Sequence, residues 1–403
     1  MRPGHSHIAF AHRLRGVAAL FVLLHHYLSF LYAPPLGVMH AINMPAVDSK
    51  GYIDVFILLM QAQIMLEPYA LDIRSWGAFG VGLFFLVSGF VIPAALLRVQ
   101  VPGFLAARFL RLWPTYAVGF LSIIGMLAFA SAVAGNPLPF KLERLAANLL
   151  LVEDLAFGST TDLVSWTLTI EIMFYLLCAA IVPVLRLAHT PRLTMIAVLI
   201  GMLGYTLSQL THLQEGAFLP TLARDLRFMP YLFIGTLFHF HFRGLLPLGA
   251  LLLNVMILLA LHVGSSCLVN FATAAQQGYY LVYVYAFLVF ALFYATYNKV
   301  KLLPSALGHA LDKLATISYP LYLVHAVHGY VVMNVLLFWQ TNVFLAMVLA
   351  GLWSLVVASA LHRWVEKPTH ALARRMAARF PLPLRLVRYA PPPDVRRDET
   401  AIP

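Results

Sequence analysis

Gly77-Ala78-Phe79-Gly80-Val81-Gly82-Leu83-Phe84-Phe85-Leu86-Val87-Ser88-Gly89-Phe90-Val91-Ile92-Pro93-Ala94-Ala95-Leu96-Leu97 runs without one charged side chain. At 1.5 Å per residue such a helix is about 30 Å long, the thickness of a bilayer's hydrocarbon core. A surface helix of a soluble domain carries a polar face, and Ser88 alone supplies none. The segment therefore reads as a membrane span. Nine further apolar stretches follow the same rule, at about 14–32, 112–134, 164–186, 193–210, 227–241, 245–263, 279–297, 315–338 and 343–364. Of 403 residues, 61% are hydrophobic and 11% charged, against about 45–50% and about 25% in a soluble domain. These figures exclude an ordinary soluble enzyme, and 13% aromatic residues exclude disorder and collagen. The expected fold is all-α: a polytopic membrane protein of about ten transmembrane helices.

Charge sets the expected orientation. With a cytoplasmic N-terminus, inside segments collect 21 of the 27 Lys and Arg, and outside segments collect ten of the 16 acids. That asymmetry is the positive-inside pattern, so both termini are expected in the cytoplasm. It also accounts for the net charge of +11 without a nucleic-acid partner. The basic start and first apolar run imitate a signal peptide, but His25-His26 interrupts the run and no small-residue cleavage site follows. Two outer loops, about 33–76 and 135–163, are long, and 52–66 in the first could form an interfacial or re-entrant helix. Residues 1–370 are expected to form one transmembrane domain, followed at 371–403 by a basic, Pro-rich cytoplasmic tail, partly disordered. No internal repeat is visible. Cys178 and Cys267 are too sparse for a disulfide framework.

Ionisable groups inside a bilayer are costly, so each marks a candidate site. Only one acid falls within a span, Glu171, five residues beyond Trp166 at an expected outer boundary. Arg15 and His26 are eleven residues apart, close to three turns, and so share a helix face about 16 Å apart. A neutral imidazole is the usual general base near neutral pH, so His26 is the candidate for chemistry and His25 for packing beside it. Glu171, expected at a similar depth, is its candidate partner; a helix-packing hydrogen bond is the plainer alternative. Arg108 and Arg111 share a face three residues apart, with Arg98 just across the short cytoplasmic loop, a cluster that is an anion-binding candidate; the Arg pair suits a diphosphate, though positive-inside anchoring accounts for any one of these residues. Ser318, Tyr322 and His325 form one polar stripe, suited either to a substrate cavity or to interhelical hydrogen bonds. No histidine pair has metal-ligand spacing backed by a carboxylate, and no metal is expected.

These residues sit in motifs. Leu14-Arg15-Gly16-Val17-Ala18-Ala19 running to His26, Gly80 to Phe90, Arg108-Phe109-Leu110-Arg111 with Trp113-Pro114, the Trp-x-Leu-x-x-Glu-x-x-Phe-Tyr run from Trp166 to Tyr175, Ile317 to His325, and Val365-Glu366-Lys367-Pro368 occur in that order. The arrangement resembles the acyltransferase 3 family of bacterial membrane proteins. Two acids common in that family are replaced here, by His12 before Leu14-Arg15-Gly16 and by Gly82 before the Phe-Phe pair.

The resemblance implies a membrane O-acyltransferase of the bacterial inner membrane. It would move an acyl group, usually acetyl from cytoplasmic acetyl-CoA, onto a hydroxyl of a cell-envelope or exported glycan or a lipid-linked sugar. On that reading His26 and Glu171 are catalytic, and Arg15, Arg108 and Arg111 bind donor phosphate. His25, Ser88, Trp166, Ser318, Tyr322 and His325 then line the substrate cavity. The competing reading is a transporter or flippase of a polar or anionic lipid or sugar, with Glu171 and the histidines as a proton relay.

Overall fold

The computed structural model describes residues 3–29, 65–66, 69, 71–133, 135, 137, 141–211, 216–270, 280–296, 305–339 and 341–382. Its helices are α1 (Pro3–Ser29), α2 (Ile73–Leu96), α3 (Val101–Val133), α4 (Leu142–Leu149), α5 (Glu153–Phe157), α6 (Trp166–Ala180), α7 (Val182–Arg186) and α8 (Thr190–Leu210). There follow α9 (Phe218–Phe242), α10 (Leu248–Asn270), α11 (Leu281–Thr296), α12 (Ser305–Thr316), α13 (Ser318–Phe338), α14 (Val343–Leu361) and α15 (Lys367–Ala378), with a π-helical turn, His362–Glu366, before the last. The β structure among the described residues is one antiparallel bridge, Val99 to Pro381. Each expected apolar stretch holds a helix. The segment 52–66 and the end of the tail, from 383 onward, lie outside the described residues, apart from Met65 and Leu66.

Among the described residues six helices are long and apolar enough to cross a membrane: Ser75–Leu96, Val101–Val133, Thr190–Leu210, Leu248–Leu268, Ser318–Phe338 and Val343–Ala378, with Trp166–Ala180 and Leu281–Thr296 apolar but shorter. α1 and α9 fall outside that set because they carry charge, Arg13 and Arg15 in one and Arg224, Asp225 and Arg227 in the other. Both are interior helices. α13 is the most enclosed, 78% buried over its apolar window, whereas α8, α10 and α14 are each only 28% buried. Their outward faces are bare apolar side chains, among them Leu199, Leu203, Leu253, Met256, Val348 and Val356. In water such a belt would aggregate, but against lipid tails it is at equilibrium.

Lipid supplies no hydrophobic drive between helices, so the bundle relies on close backbone approach. α2 and α9 cross at Gly89 and Gly235, where an added Cβ would fall 1.8 Å from Leu232 O and 2.2 Å from Leu86 O respectively. Gly16 lets the amphipathic helix α12 lie on α1, since a Cβ there would meet Leu311 O at 2.3 Å. Arg13 then reaches Asp312, Nε to Oδ1 3.1 Å. The His12 ring also contacts the Asp312 backbone O at 3.1 Å.

The expected outer loop 135–163 is not a simple loop. α3 has 33 residues, about 50 Å of helix, and the segment 141–165 folds back along it. Trp113 Nε1 donates to Leu149 O (2.9 Å), and Tyr116 OH donates to Asn148. Hydropathy marks this segment as polar, and it is; its polar groups satisfy one another inside. Glu153 accepts from Arg144 (2.8 Å), Thr161 and Asn148, while Asp162 accepts from Val164 N, Ser165 N and Ser165 Oγ. Burial pushes the Asp162 carboxyl up from its ordinary range even against those donors.

Candidate active site

α1, α2 and α13 meet around two histidines. His325 Nδ1 lies 3.0 Å from both Leu321 O and Tyr322 O, which only accept, so this nitrogen carries the proton. In the neutral ring Nε2 is then an acceptor, and it lies 3.1 Å from His26 Nδ1. His26 Nδ1 is also 2.9 Å from Val22 O, so it too must be the protonated nitrogen. The consequence is chemical. His26 Nε2 keeps a free lone pair, and no described residue occupies it. A tautomer fixed by the bond at the other nitrogen is how an imidazole is prepared as a base.

His25 is held apart from this. Its Nδ1 contacts Ile73 O (2.9 Å) and Ser29 Oγ (3.3 Å), and its ring packs edge-on to His26 at 4.9 Å. Tyr27 locks the same corner by donating to His325 O and Ala350 O and bonding Ser354 Oγ at 2.7 Å.

Glu171 lies elsewhere. It accepts from Ser88 Oγ at 3.0 Å and from Tyr175 OH, and it shares no hydrogen bond with His26. Two registers give its depth. Thr167 Oγ1 bonds Tyr322 OH at 2.8 Å. Tyr322 precedes His325 by one turn and Glu171 follows Thr167 by another, which puts the carboxylate roughly 10 Å from the histidine pair, toward the Arg15 end. On α2, His25 sits against Gly77 and Ser88 is eleven residues further, roughly 16 Å. The expectation of similar depth thus gives way to a separation of more than a turn along the bundle. The folded-back segment 141–165 leads into the start of α6, where Thr167 meets Tyr322.

What Glu171 does join is the basic cluster. The Arg108 guanidinium lies 5.3 Å from the Tyr175 ring centre and 5.4 Å from that of Phe104, cation–π distances. Arg111 stands within electrostatic reach of Arg108, Arg15, Tyr175 and Glu366. Glu366 is presented by the π-helical turn and bonds His362 Nδ1 at 2.6 Å. Arg15, Arg108 and Arg111 therefore converge, from helices far apart in sequence.

Tyr322 and His325 join the histidine site, and Ser88 joins Glu171. Trp166 packs on Phe228 and under the Arg224 guanidinium at 5.1 Å, so it braces α9. Ser318 is buried and donates to Ala315 O at the α12–α13 joint, two turns from His325. Tyr175, Tyr27 and Glu366 were not among the candidates. For the first, its place at the end of the Trp166 to Tyr175 motif and its i,i+4 spacing from Glu171 were the available signals. A second histidine site proves inert: His328 Nδ1 accepts from Trp353 Nε1 (3.2 Å), so Nε2 carries the proton toward Ser122 Oγ (3.1 Å), whose hydroxyl donates to Gly119 O. No lone pair there activates Ser122. Among the described residues no group of three His, Cys, Asp or Glu side chains could hold a metal ion.

The profile of the family described as "Acyltransferase domain", the acyltransferase 3 family, matches residues 8–363. The chain belongs to the acyltransferase 3 family. Several of its described helices are long and apolar enough to cross a membrane. A curated relative, "Acyltransferase MdmB" of Streptomyces mycarofaciens, is 34% identical over 113 residues. That alignment covers 26% of this chain and 28% of the relative. No solved structure matches.

Proposed function

We propose that this acyltransferase takes its acyl group, acetyl in the first instance, from acyl-CoA in the cytoplasm. It passes that group to a hydroxyl of a cell-envelope or exported glycan, or of a lipid-linked sugar. The observation that carries the reading is the separation of two unlike sites on one bundle. A basic cluster at one end suits donor phosphates, and a histidine with an open lone pair lies about 16 Å along α1 from Arg15. In this reading ten helices cross a bacterial inner membrane with both termini inside, so the basic cluster faces the compartment that holds acyl-CoA.

Arg15, Arg108 and Arg111 hold the donor's diphosphate, which guanidinium groups recognise by paired N–H donors. Glu171 orients Tyr175 and so the Arg108 that lies on it. His26 Nε2 takes the acceptor's hydroxyl proton as the oxygen attacks the thioester carbonyl; the C–S bond breaks, and the proton passes to the departing thiolate. His325 acts through His26, to which its Nε2 is bonded, and is a positioning residue, and Tyr322 is itself held by Thr167.

Membrane vesicles given labelled acetyl-CoA on the cytoplasmic side test this. Label should enter the glycan or lipid fraction with the parent protein and fall by about 10²- to 10⁴-fold with His26→Ala. A folded, inserted His26→Ala protein of full activity would refute the base assignment.

A further inference from the structure

We propose that Arg98 and Arg243, with His239 beneath them, form a second anion site that takes a phosphate group, separate from Arg15, Arg108 and Arg111. Arg98 follows the end of α2 and Arg243 caps α9, and the two guanidiniums are in electrostatic reach of each other. His239 lies one turn before Arg243 on the same face, is 4% exposed, and is in reach of both. The ring packs edge-on to Phe90 at 5.5 Å, and its Nε2 is buried without a partner. Arg186 flanks the group, donating from Nη2 to Val99 O at 3.3 Å, and its Nε is likewise buried without a partner.

The cluster is unneutralised. Arg13, Arg144 and Arg224 each have a carboxylate within 4 Å, whereas among the described residues none lies that close to Arg98, Arg186 or Arg243. Anchoring to the membrane surface accounts for one such residue, but not for two like charges brought together above an unpartnered imidazole. A phosphate monoester fits all three: it carries about −1.5 to −2 charge at pH 7, offers oxygens to both forks, and can share its remaining proton with His239 Nε2. The site is not the one at Arg108. Arg98 is ten residues beyond Ser88 on α2, roughly 15 Å, and Tyr175 only four beyond Glu171, roughly 6 Å, so the two clusters differ by nearly two helical turns.

The phosphate has two candidate sources, a distal phosphate of the nucleotide donor, which rests on the function proposed above, or the headgroup of an anionic lipid. Purified protein in detergent, as the parent and as the Arg98→Gln/Arg243→Gln double variant, separates them. Affinity would be measured for acetyl-CoA and for its 3′-dephospho form, and phosphatidylglycerol retention by native mass spectrometry. If the donor supplies the phosphate, the parent prefers acetyl-CoA to the dephospho form by about tenfold or more, and the variant loses that preference. If the lipid supplies it, the preference is untouched and the variant loses bound phosphatidylglycerol. Loss of lipid with no acetyl-CoA binding even by the parent would keep the anion site and refute the acyl-CoA reading. A variant that changes neither binding overturns the proposal. Arg98→Lys/Arg243→Lys, which keeps charge without the fork, should fall between parent and double variant, which excludes misfolding as the cause.

Discussion

His26 owes its open Nε2 to a chain of bonds running from the α13 backbone through His325. Replacing His325 with alanine frees the ring to rotate and to change tautomer. His325→Ala should therefore lower kcat by about tenfold to a hundredfold, as loss of an orienting partner does elsewhere, with the KM for acyl-CoA unchanged. Glu171→Gln should behave oppositely. It keeps the shape but weakens the Tyr175 contact beneath Arg108, so steady-state kinetics should show a higher KM for the donor and a smaller change in kcat. Ser122→Ala should retain full activity, since the Trp353–His328–Ser122 chain leaves the hydroxyl already donating. An inactive Ser122→Ala protein would point to an acyl-enzyme at that serine.

At the scale of elements, α12 depends on Gly16. Any side chain there collides with Leu311 O, so Gly16→Val should displace α12, break the Arg13–Asp312 pair and lower stability by about 1–3 kcal/mol or more. Thermal unfolding in detergent measures it, and an unchanged midpoint would contradict the packing described. Helix positions were legible in the sequence because a 20-residue apolar run has few alternatives in a chain this poor in charge. The segment 141–165 was not. Its polar residues read as solvated, and nothing local says that Asn148, Glu153 and Asp162 are buried against one another. The depth of Glu171 was not legible either, because it is set by how α6 packs against α2, where Ser88 donates to it. The i,i+3 spacing of Arg108 and Arg111 was legible, but nothing local places Arg15 within reach of Arg111, and the π-helical turn that adds Glu366 has no periodicity to betray it.

Over its described residues the molecule is a bundle with α1, α9 and α13 inside, while α8, α10 and α14 face outward. That division predicts where substitutions are tolerated: Leu253→Ala or Val348→Ala, on exposed apolar faces, should leave activity unchanged in vesicles, whereas equal truncations at fully buried Leu323 or Phe233 should reduce the folded yield. The distance between the arginine cluster and His26 is fixed by three turns of α1, a rod that does not stretch. A donor gripped by its phosphates therefore presents its carbonyl at one height whatever hangs beyond it. Under the function proposed above, Arg15, Arg108 and Arg111 would act as a ruler for the thioester, blind to the length of the acyl chain. Selectivity for a short or a long acyl group must then be decided on the far side of His26, where the Tyr330 ring stands 6.1 Å from it.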